Sequence, residues 1–156
     1  MATDNMGLVR RFIEEVWNKG DLSVLDEVVS DKYVAVEPMI GDVRGLAALR
    51  EQVQTFRSAF PDLRITVEDI GMSGDRVFMR WTARGTHRGA LMGIPPSNNR
   101  GEVRGISVQR VSGGKIVEQY ESYDSLRLMQ IVGAVPPMDR LGKGQTSGQQ
   151  AQRPQV

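Results

Sequence analysis

The chain has 156 residues, enough for one domain with a sizeable core, and its 40% hydrophobic and 25% charged residues are typical of a soluble globular protein. Its formal net charge is only +1 and it has no long basic run, which argues against nucleic acid or an anionic membrane as the main partner. The absence of cysteine excludes disulfides, thiol nucleophiles and thiolate metal sites, and a single histidine excludes a His-rich metal site.

No targeting or membrane segment is visible in the sequence. The first five residues lack a basic region followed by an apolar stretch. No segment approaches the ~18 consecutive apolar residues of a membrane span. We therefore expect a cytoplasmic protein without a secretory signal.

The first sixty residues are predicted to be mainly helical. Thr3 or Asp4 caps a helix that Gly20 ends, and Asp21 caps a short second helix. A strand then runs to Glu37, followed by a loop and a third helix. The predicted bounds are residues 8–17, 22–29 and 46–60 for the helices, 33–37 for the strand and 41–45 for the loop.

From residue 63 the pattern changes to alternating strands. Residues 63–68 and 76–86 read as strands, and a glycine- and proline-containing connection follows to residue 100. A hairpin over residues 104–124 turns at Gly113-Gly114, and a short helix ends at Gly133. Residues 1–135 are therefore predicted to form the domain. Residues 136–156, rich in Gly, Gln, Ser, Pro and Arg, are predicted to be a disordered tail.

This order of elements predicts an α+β fold. Three helices and a strand precede four long strands in hairpin order, which favours a curved antiparallel sheet with the N-terminal helices packed over its concave face. The resulting cone-shaped hollow is a natural small-molecule pocket.

A carboxylate at the end of the hairpin is the first candidate for chemistry. Period-2 alternation places Asp124 on the same strand face as Ile116, Tyr120 and Ser122. A carboxylic acid shuttles protons near neutral pH only when an apolar environment raises its pKa. The alternative is that Asp124 caps the helix that follows it.

Several motifs, in their order and spacing, resemble one family over roughly residues 8–133. They are Trp17-Asn18-Lys19-Gly20-Asp21, Phe60-Pro61-Asp62, Gly74-Asp75-Arg76-Val77, Gly85-Thr86-His87-Arg88-Gly89, Met92-Gly93-Ile94-Pro95-Pro96-Ser97 and Gly114-Lys115-Ile116-Val117-Glu118, followed by Tyr120 and Asp124. The chain resembles the SnoaL-like polyketide cyclases and ester cyclases, within the nuclear-transport-factor-2-like fold.

The resemblance implies a cone-shaped α+β barrel, usually a homodimer, that works without metal or organic cofactor. It also implies that an aspartate at the end of the last strand, here Asp124, is the general acid/base of an intramolecular ring closure. Two positions depart from the family pattern. Glu37 and Ser107 stand where family members have histidines, after the first strand and in the penultimate strand respectively.

The candidate site combines three catalytic residues with an apolar wall. The catalytic candidates are Asp124, Glu37 and His87. The substrate-binding candidates are Trp17, Tyr33, Phe56, Phe60, Met79, Trp81, Leu91, Met92, Ser107 and Tyr120. For each there is a structural alternative: Glu37 as a solvated strand end, His87 as a loop anchor, and the tryptophan and methionines as ordinary core.

The favoured function is cyclisation of a small apolar, polyketide-like substrate in secondary metabolism, such as antibiotic biosynthesis, by an enzyme of lyase or isomerase type. Epoxide opening with ether-ring closure is the second enzyme class; it uses two carboxylates bridged by an arginine. Pericyclic closure, in which the pocket only shapes a polyene, is the third. The non-enzymatic alternative is a module that binds a small apolar ligand, because fold alone does not determine function.

Overall fold

One curved, unclosed sheet of six strands organises residues 4–140, which are the residues that the computed structural model describes. The strands are β1 (Val29–Glu37), β2 (Gly41–Arg44), β3 (Arg64–Ser73), β4 (Arg76–Thr86), β5 (Arg100–Ser112) and β6 (Lys115–Tyr123). Their order across the sheet is β2-β1-β6-β5-β4-β3.

Four α-helices complete the fold. They are α1 (Asn5–Arg11), which continues as a π-helix over Phe12–Asn18, α2 (Leu25–Val28), α3 (Gly45–Ala59) and α4 (Ser125–Ile131), with 3-10 turns at Leu22–Val24 and Met138–Arg140. Asp4 caps α1 by accepting a hydrogen bond from the Gly7 N–H at 2.7 Å, as predicted. Gly20, with φ of 70°, ends the N-terminal helical segment as predicted.

The predicted α+β class is confirmed, but the sheet is mixed. β1 pairs with β6 in parallel, and all other neighbouring strands are antiparallel. The sequence predicts only the hairpin partners of consecutive strands, so the long-range pairing of β1 with the last strand was missed. The loop predicted at residues 41–45 also contains a strand, β2, which pairs with β1.

The predicted domain boundary stays a prediction. Most of the proposed tail, residues 141–156, lies outside the described residues, as do residues 1–3. The described part of the tail includes the 3-10 turn at Met138–Arg140. Among the described helices, none has the length and apolar character needed to cross a membrane.

A β-bulge in β6 determines which side chains of that strand face inward. Arg110 pairs with Glu118 but Val111 pairs with Ile116, so Val117 is an extra residue in β6. Because the side-chain period of a strand is two, one extra residue exchanges the faces beyond it. Ile116 is buried, whereas Tyr120 beyond the bulge is 51% exposed.

Beyond the bulge, the inner face of β6 consists of Gln119, Glu121 and Tyr123. The inner face of the sheet packs against α1, the π-helix, α2 and α3 in the main core. A second apolar cluster joins the end of α3 to α4 and the segment around Leu91.

The outer face of the sheet carries an apolar row that runs across four strands. The pairing brings Val36, Tyr120, Val108 and Phe78 side by side. Val36, Tyr120 and Phe78 are 44%, 51% and 43% exposed. No described helix covers this row.

Asn18 joins the end of the π-helix to the sheet. Its Oδ1 accepts from the Ile65 N–H at 2.7 Å, and its Nδ2 donates to the Ile65 carbonyl at 2.9 Å. Arg57 of α3 donates to the carbonyls of Trp17 and Asn18 at 2.6 and 2.9 Å. The Arg57 bonds satisfy carbonyls that the helix end leaves free, and the Asn18 bonds satisfy the backbone of Ile65 in the edge strand β3; together they hold Trp17 over the inner face of the sheet.

We predict that Asn18→Ala lowers the free energy of unfolding by about 1–3 kcal/mol, because the partly buried N–H and C=O of Ile65 lose their partner. Urea denaturation followed by circular dichroism measures the change. Lys19→Ala, at the exposed neighbouring position, is the control and should stay within about 0.5 kcal/mol of the wild type. Equal losses in the two variants would contradict the role of this contact.

Candidate active site

A mainly apolar cavity lies between the inner face of the sheet and the helices. Its lining residues are Ile13, Trp17, Glu37, Gln52, Phe56, Phe60, Leu63, Ile65, Met79, Trp81, Ala83, Arg84, Gly85, Gly101, Val103, Ser107, Gln119, Glu121, Tyr123, Leu128 and Ile131. The cavity and its open mouth together enclose about 820 Å³, a volume that includes the space open to solvent. Two carboxylates are the acidic groups among these lining residues.

Glu37, at the end of β1, is the more enclosed of the two carboxylates. It is 3% exposed. Its Oε2 accepts from the backbone N–H groups of Met39 and Ile40 at 2.9 and 2.7 Å, and its Oε1 accepts from the hydroxyl of Tyr123. All three partners donate hydrogen bonds to Glu37, and an ionised carboxylate can only accept them.

Glu121 of β6 is the second carboxylate, and its environment is different. The β5–β6 pairing places it opposite Ser107, and Gln119 Nε2 donates to its Oε2 at 3.3 Å. Burial raises the pKa of Glu121 to about 7, and the negative charge of Glu37 adds to this rise, while the Gln119 hydrogen bond opposes it. Glu121 therefore alternates between acid and anion near neutral pH.

Tyr123 contacts both Glu37 and Trp81 in the cavity lining. Its hydroxyl donates to Glu37, and its ring lies 6.0 Å from that of Trp81 at 53°. Burial, the hydrogen bond to Glu37 and the nearby negative charges raise the pKa of the Tyr123 phenol. The phenol therefore stays protonated and remains a hydrogen-bond donor at neutral pH.

Gly105 allows Trp81 to lie across β5. Trp81, Gly105 and Tyr123 are paired neighbours across β4, β5 and β6. A Cβ atom at position 105 would lie 2.3 Å from Trp81 Cζ2, so any other residue would displace the indole. The indole Nε1 donates to Ser107 Oγ at 2.8 Å, which fixes the ring in this place.

Seven of the predicted site residues line the cavity. They are Trp17, Glu37, Phe56, Phe60, Met79, Trp81 and Ser107. The structure does not bring the other six, which are Asp124, His87, Tyr33, Leu91, Met92 and Tyr120, into the lining.

Asp124 is exposed and caps α4. Its Oδ1 accepts from the Arg127 N–H at 2.9 Å, which is the capping alternative. The placement expected from alternation with Ile116 is wrong, because the bulge at Val117 lies between them. The catalytic role of Asp124 stays a prediction, and it now competes with that of Glu121.

His87 is fully buried beside the cavity, not in its wall. Its Nδ1 accepts from the Ser97 N–H at 3.0 Å, and its ring packs against Phe60 with centroids 5.4 Å apart. Burial lowers the pKa of His87. This geometry corresponds to the loop-anchoring alternative.

The four remaining substrate-binding candidates divide into core and surface. Tyr33 and Leu91 are at most 1% exposed and belong to the two apolar clusters. Met92 and Tyr120 are 48% and 51% exposed. Their apolar character alone did not distinguish a cavity wall from a core or an outer sheet face.

Glu121 and Gln119 line the cavity but were not predicted from the sequence. They alternate with Tyr123 at a period of two, which was a usable signal. The sequence shows no sign of the bulge, so alternation counted from Ile116 assigns these residues to the outer face of the strand. Among residues 4–140, no group of three or more His, Asp or Glu side chains is placed to hold a metal ion.

We predict that Glu121→Gln stabilises the protein at pH 8 by about 1–3 kcal/mol and changes little at pH 4. The pKa of Glu121 rises from 4.5 to about 7 on folding. Between these values the folded state holds the proton more tightly than the unfolded state, so the wild type loses stability as the pH rises. A neutral glutamine does not have this loss.

Urea titrations at pH 4, 6 and 8 measure this effect. Glu118→Gln on the same strand is the matched control, because Arg110 lowers the pKa of Glu118 and no gain is expected at pH 8. A Glu121→Gln variant whose stability follows the pH curve of the wild type would contradict the raised pKa.

Comparison with known proteins agrees with the fold. The family described as SnoaL-like polyketide cyclase matches residues 7–131. No curated protein matches the chain.

Solved structures share the architecture over most of their length. TsrD from Streptomyces laurentii is 26% identical with a TM-score of 0.76, over 86% of this chain and 99% of TsrD. AclR from Streptomyces galilaeus, a proposed hydroxylase, is 27% identical with a TM-score of 0.75, over 90% of this chain and 89% of AclR.

IdmH from Streptomyces antibioticus, a proposed polyketide cyclase, is 29% identical with a TM-score of 0.71. That match covers 83% of this chain and 99% of IdmH. The family match extends over most of the chain and the α+β architecture agrees with it, so the protein belongs to the SnoaL-like polyketide cyclase family.

Proposed function

We propose that the protein is a cofactor-independent cyclase that closes a ring in a small, apolar, polyketide-like substrate, with Glu121 as the general acid/base. One observation carries the proposal: Glu121 stands in the wall of an apolar cavity with a pKa of about 7, beside a second carboxylate with three hydrogen-bond donors. Two acids in different environments are the usual arrangement for proton transfer near neutral pH.

The proposed reaction is an intramolecular aldol closure. The Glu121 carboxylate removes a proton from a carbon next to a carbonyl group, and the resulting enolate carbon attacks a second carbonyl of the same molecule. One C–C bond forms, and the new alkoxide takes the proton back from Glu121. The step is redox-neutral and returns Glu121 to its starting form.

Glu37 and Tyr123 support this cycle without exchanging protons themselves. Glu37 is fixed by two backbone N–H groups and by the Tyr123 hydroxyl. The electrostatic influence of Glu37 adds to burial in raising the pKa of Glu121 to about 7, which suits Glu121 for proton transfer at neutral pH.

The aromatic wall contributes through the shape of the bound substrate. Trp17 and Phe56 face each other with centroids 6.4 Å apart on the helical side, and Trp81 lies on the sheet side. A flexible chain folded between these walls would have its two carbonyl groups held close, and positioning of this kind lowers the barrier to ring closure.

Epoxide opening is less well supported by the same residues. That chemistry needs an arginine between its two carboxylates. Arg84, on the cavity wall, is paired with Glu102 instead, at 2.8 Å, and is 48% exposed. The side-chain group that donates to Glu37 is the phenol of Tyr123.

We predict that Glu121→Gln lowers base catalysis by at least about 10²-fold, the usual contribution of one positioned acid/base. The measurement is deuterium uptake at the α-carbon of an aromatic β-keto ester in D₂O, which reports proton removal without the natural substrate. The wild-type rate should rise with pH through a midpoint near 7.

Asp124→Asn is the matched comparison, since asparagine also caps helices well and the fold is kept. We expect its exchange rate to stay within about twofold of the wild type. If Asp124→Asn abolishes exchange and Glu121→Gln does not, the catalytic role returns to Asp124. If neither changes the rate, pericyclic closure or simple binding replaces acid/base catalysis.

We also propose that a second copy of the chain covers the apolar row of Val36, Tyr120, Val108 and Phe78, as the implied homodimer requires. An exposed, connected apolar patch on a sheet face is typical of protein interfaces. The row is flanked by ion pairs of both signs, Arg110–Glu118 on one side and Arg80–Asp69 on the other. Because each ion pair carries both charges, these borders of the row do not repel a second copy of the chain.

We predict a particle of twice the 17.3 kDa chain mass in sedimentation equilibrium. Phe78→Glu should give the single-chain mass, because a charge is costly to bury within the contact. Met138→Glu, which changes an apolar residue that is 65% exposed outside the row, is the control and should keep the double mass. A monomeric wild type would refute this interface.

A further inference from the structure

Two buried glutamines lie next to Glu121: Gln119, which lines the cavity, and Gln109, which is hydrogen-bonded to Gln119. Gln109 is fully buried and Gln119 is 6% exposed. They are directly opposite each other on β5 and β6, next to the opposed pair of Ser107 and Glu121. Buried amides cost free energy unless they form hydrogen bonds, so their partners show what they do.

The hydrogen bonds of these amides run in one direction. Gln109 Nε2 donates to Gln119 Oε1 at 3.1 Å, and Gln119 Nε2 donates to Glu121 Oε2 at 3.3 Å. The oxygen of Gln119 is occupied by Gln109, so Gln119 presents its NH₂ group to Glu121. Gln109 Oε1 has no partner among the described residues, so its one side-chain hydrogen bond is the bond to Gln119.

This inference rests on the proposed role of Glu121. We propose that Gln119 is a positioning residue that stabilises the Glu121 carboxylate, and that Gln109 acts through Gln119 by fixing the direction of its amide. An NH₂ group that faces a carboxyl group favours the ionised form, whereas an amide oxygen in the same place favours the protonated form. The direction of the amide thus controls how readily Glu121 releases its proton.

Other charged or titratable groups also face Glu121. Among the lining residues they are Glu37 of β1 and Tyr123 of β6, whereas the side chain of Arg84 is 48% exposed and paired with Glu102. Tyr33 of β1 is buried in the core, and the negative charge of Glu121 contributes to its raised pKa. The helices contribute neutral lining residues, such as Gln52 of α3 and Leu128 of α4.

The glutamine pair opposes two effects that favour the protonated form of Glu121. Burial and the charge of Glu37 both favour the acid form, and Gln119 is the group that opposes them. A base that held its proton at neutral pH would start few catalytic cycles. The pair therefore keeps part of Glu121 ionised in the working pH range.

The test is a titration of the Glu121 side-chain carboxyl by ¹³C NMR in the full-length protein without ligand. We expect Gln119→Met, which keeps the length of the side chain but removes the donor, to raise the Glu121 midpoint by about 0.5–1 pH unit. Gln109→Met should raise it by a smaller amount, because the freed Gln119 amide can then turn its oxygen toward Glu121.

The double variant separates a relay from two independent effects. We expect Gln109→Met with Gln119→Met to give the midpoint of Gln119→Met alone, because Gln109 acts through Gln119. Gln52→Met, which removes a buried amide elsewhere in the cavity wall, is the control and should leave the midpoint unchanged. A Gln119→Met midpoint equal to or below that of the wild type would overturn the proposal, as would additive shifts in the double variant.

A measurement on the unmodified chain keeps the test valid if a variant fails to fold. The side-chain ¹⁵N resonance of Gln119 should titrate with the same midpoint as the Glu121 carboxyl, and that of Gln130 should not. A flat Gln119 resonance would overturn the proposal.

The experiments distinguish a failure of this proposal from a failure of the proposed cyclase activity. If Glu121→Gln retains full exchange activity while Gln119→Met still moves the Glu121 midpoint, the catalytic role fails and the positioning role stands. If Glu121→Gln loses exchange activity but Gln119→Met leaves the Glu121 midpoint unchanged, the catalytic role stands and the positioning role fails.

Discussion

One extra residue in β6 determines the chemistry of the cavity. The bulge at Val117 turns Gln119, Glu121 and Tyr123 to the inner face of the sheet and turns Tyr120 outward. Without it, the last strand would present Tyr120 and Ser122 to the cavity. The carboxyl groups of Glu37 and Glu121 would then lie on opposite faces, and the raised pKa of Glu121 would have no cause.

The two carboxylates show how one fold places similar groups in different electrostatic environments. Glu37 has three donors around it, two of them backbone groups of the turn after β1, so its position depends on local chain geometry. Glu121 has one amide donor, and burial is the main cause of its raised pKa. Since the charge of Glu37 acts on Glu121, the proton affinity of one residue is set partly by the fixed position of the other.

Much of the architecture was predictable from sequence because it depends on local patterns. The cap at Asp4, the third helix and the hairpin at Gly113-Gly114 follow from residue type and periodicity, and the motifs identified the family. The aromatic wall was also found, since Trp17, Phe56 and Trp81 stand on the apolar faces of predicted elements. The parallel pairing of β1 with β6 was not, because it joins residues about eighty positions apart.

The catalytic role of Asp124 stays a prediction, but the strand face expected for it was wrong, and the cause is physical. The sequence allows two roles for Asp124, because it follows a strand directly and also precedes a helix that it can cap. Alternation was counted from Ile116 through the bulge, so the phase beyond Val117 was reversed. A bulge is stabilised by its partner strand and by twist, and neither is encoded in a short window of residues.

Trp81 lies flat over Gly105, and this position has a practical consequence. The chain has two tryptophans, Trp17 and Trp81, and both line the cavity. All of its indole emission therefore originates beside the bound molecule. Intrinsic fluorescence can report occupancy directly, so unlabelled compound collections can be screened optically for the natural ligand.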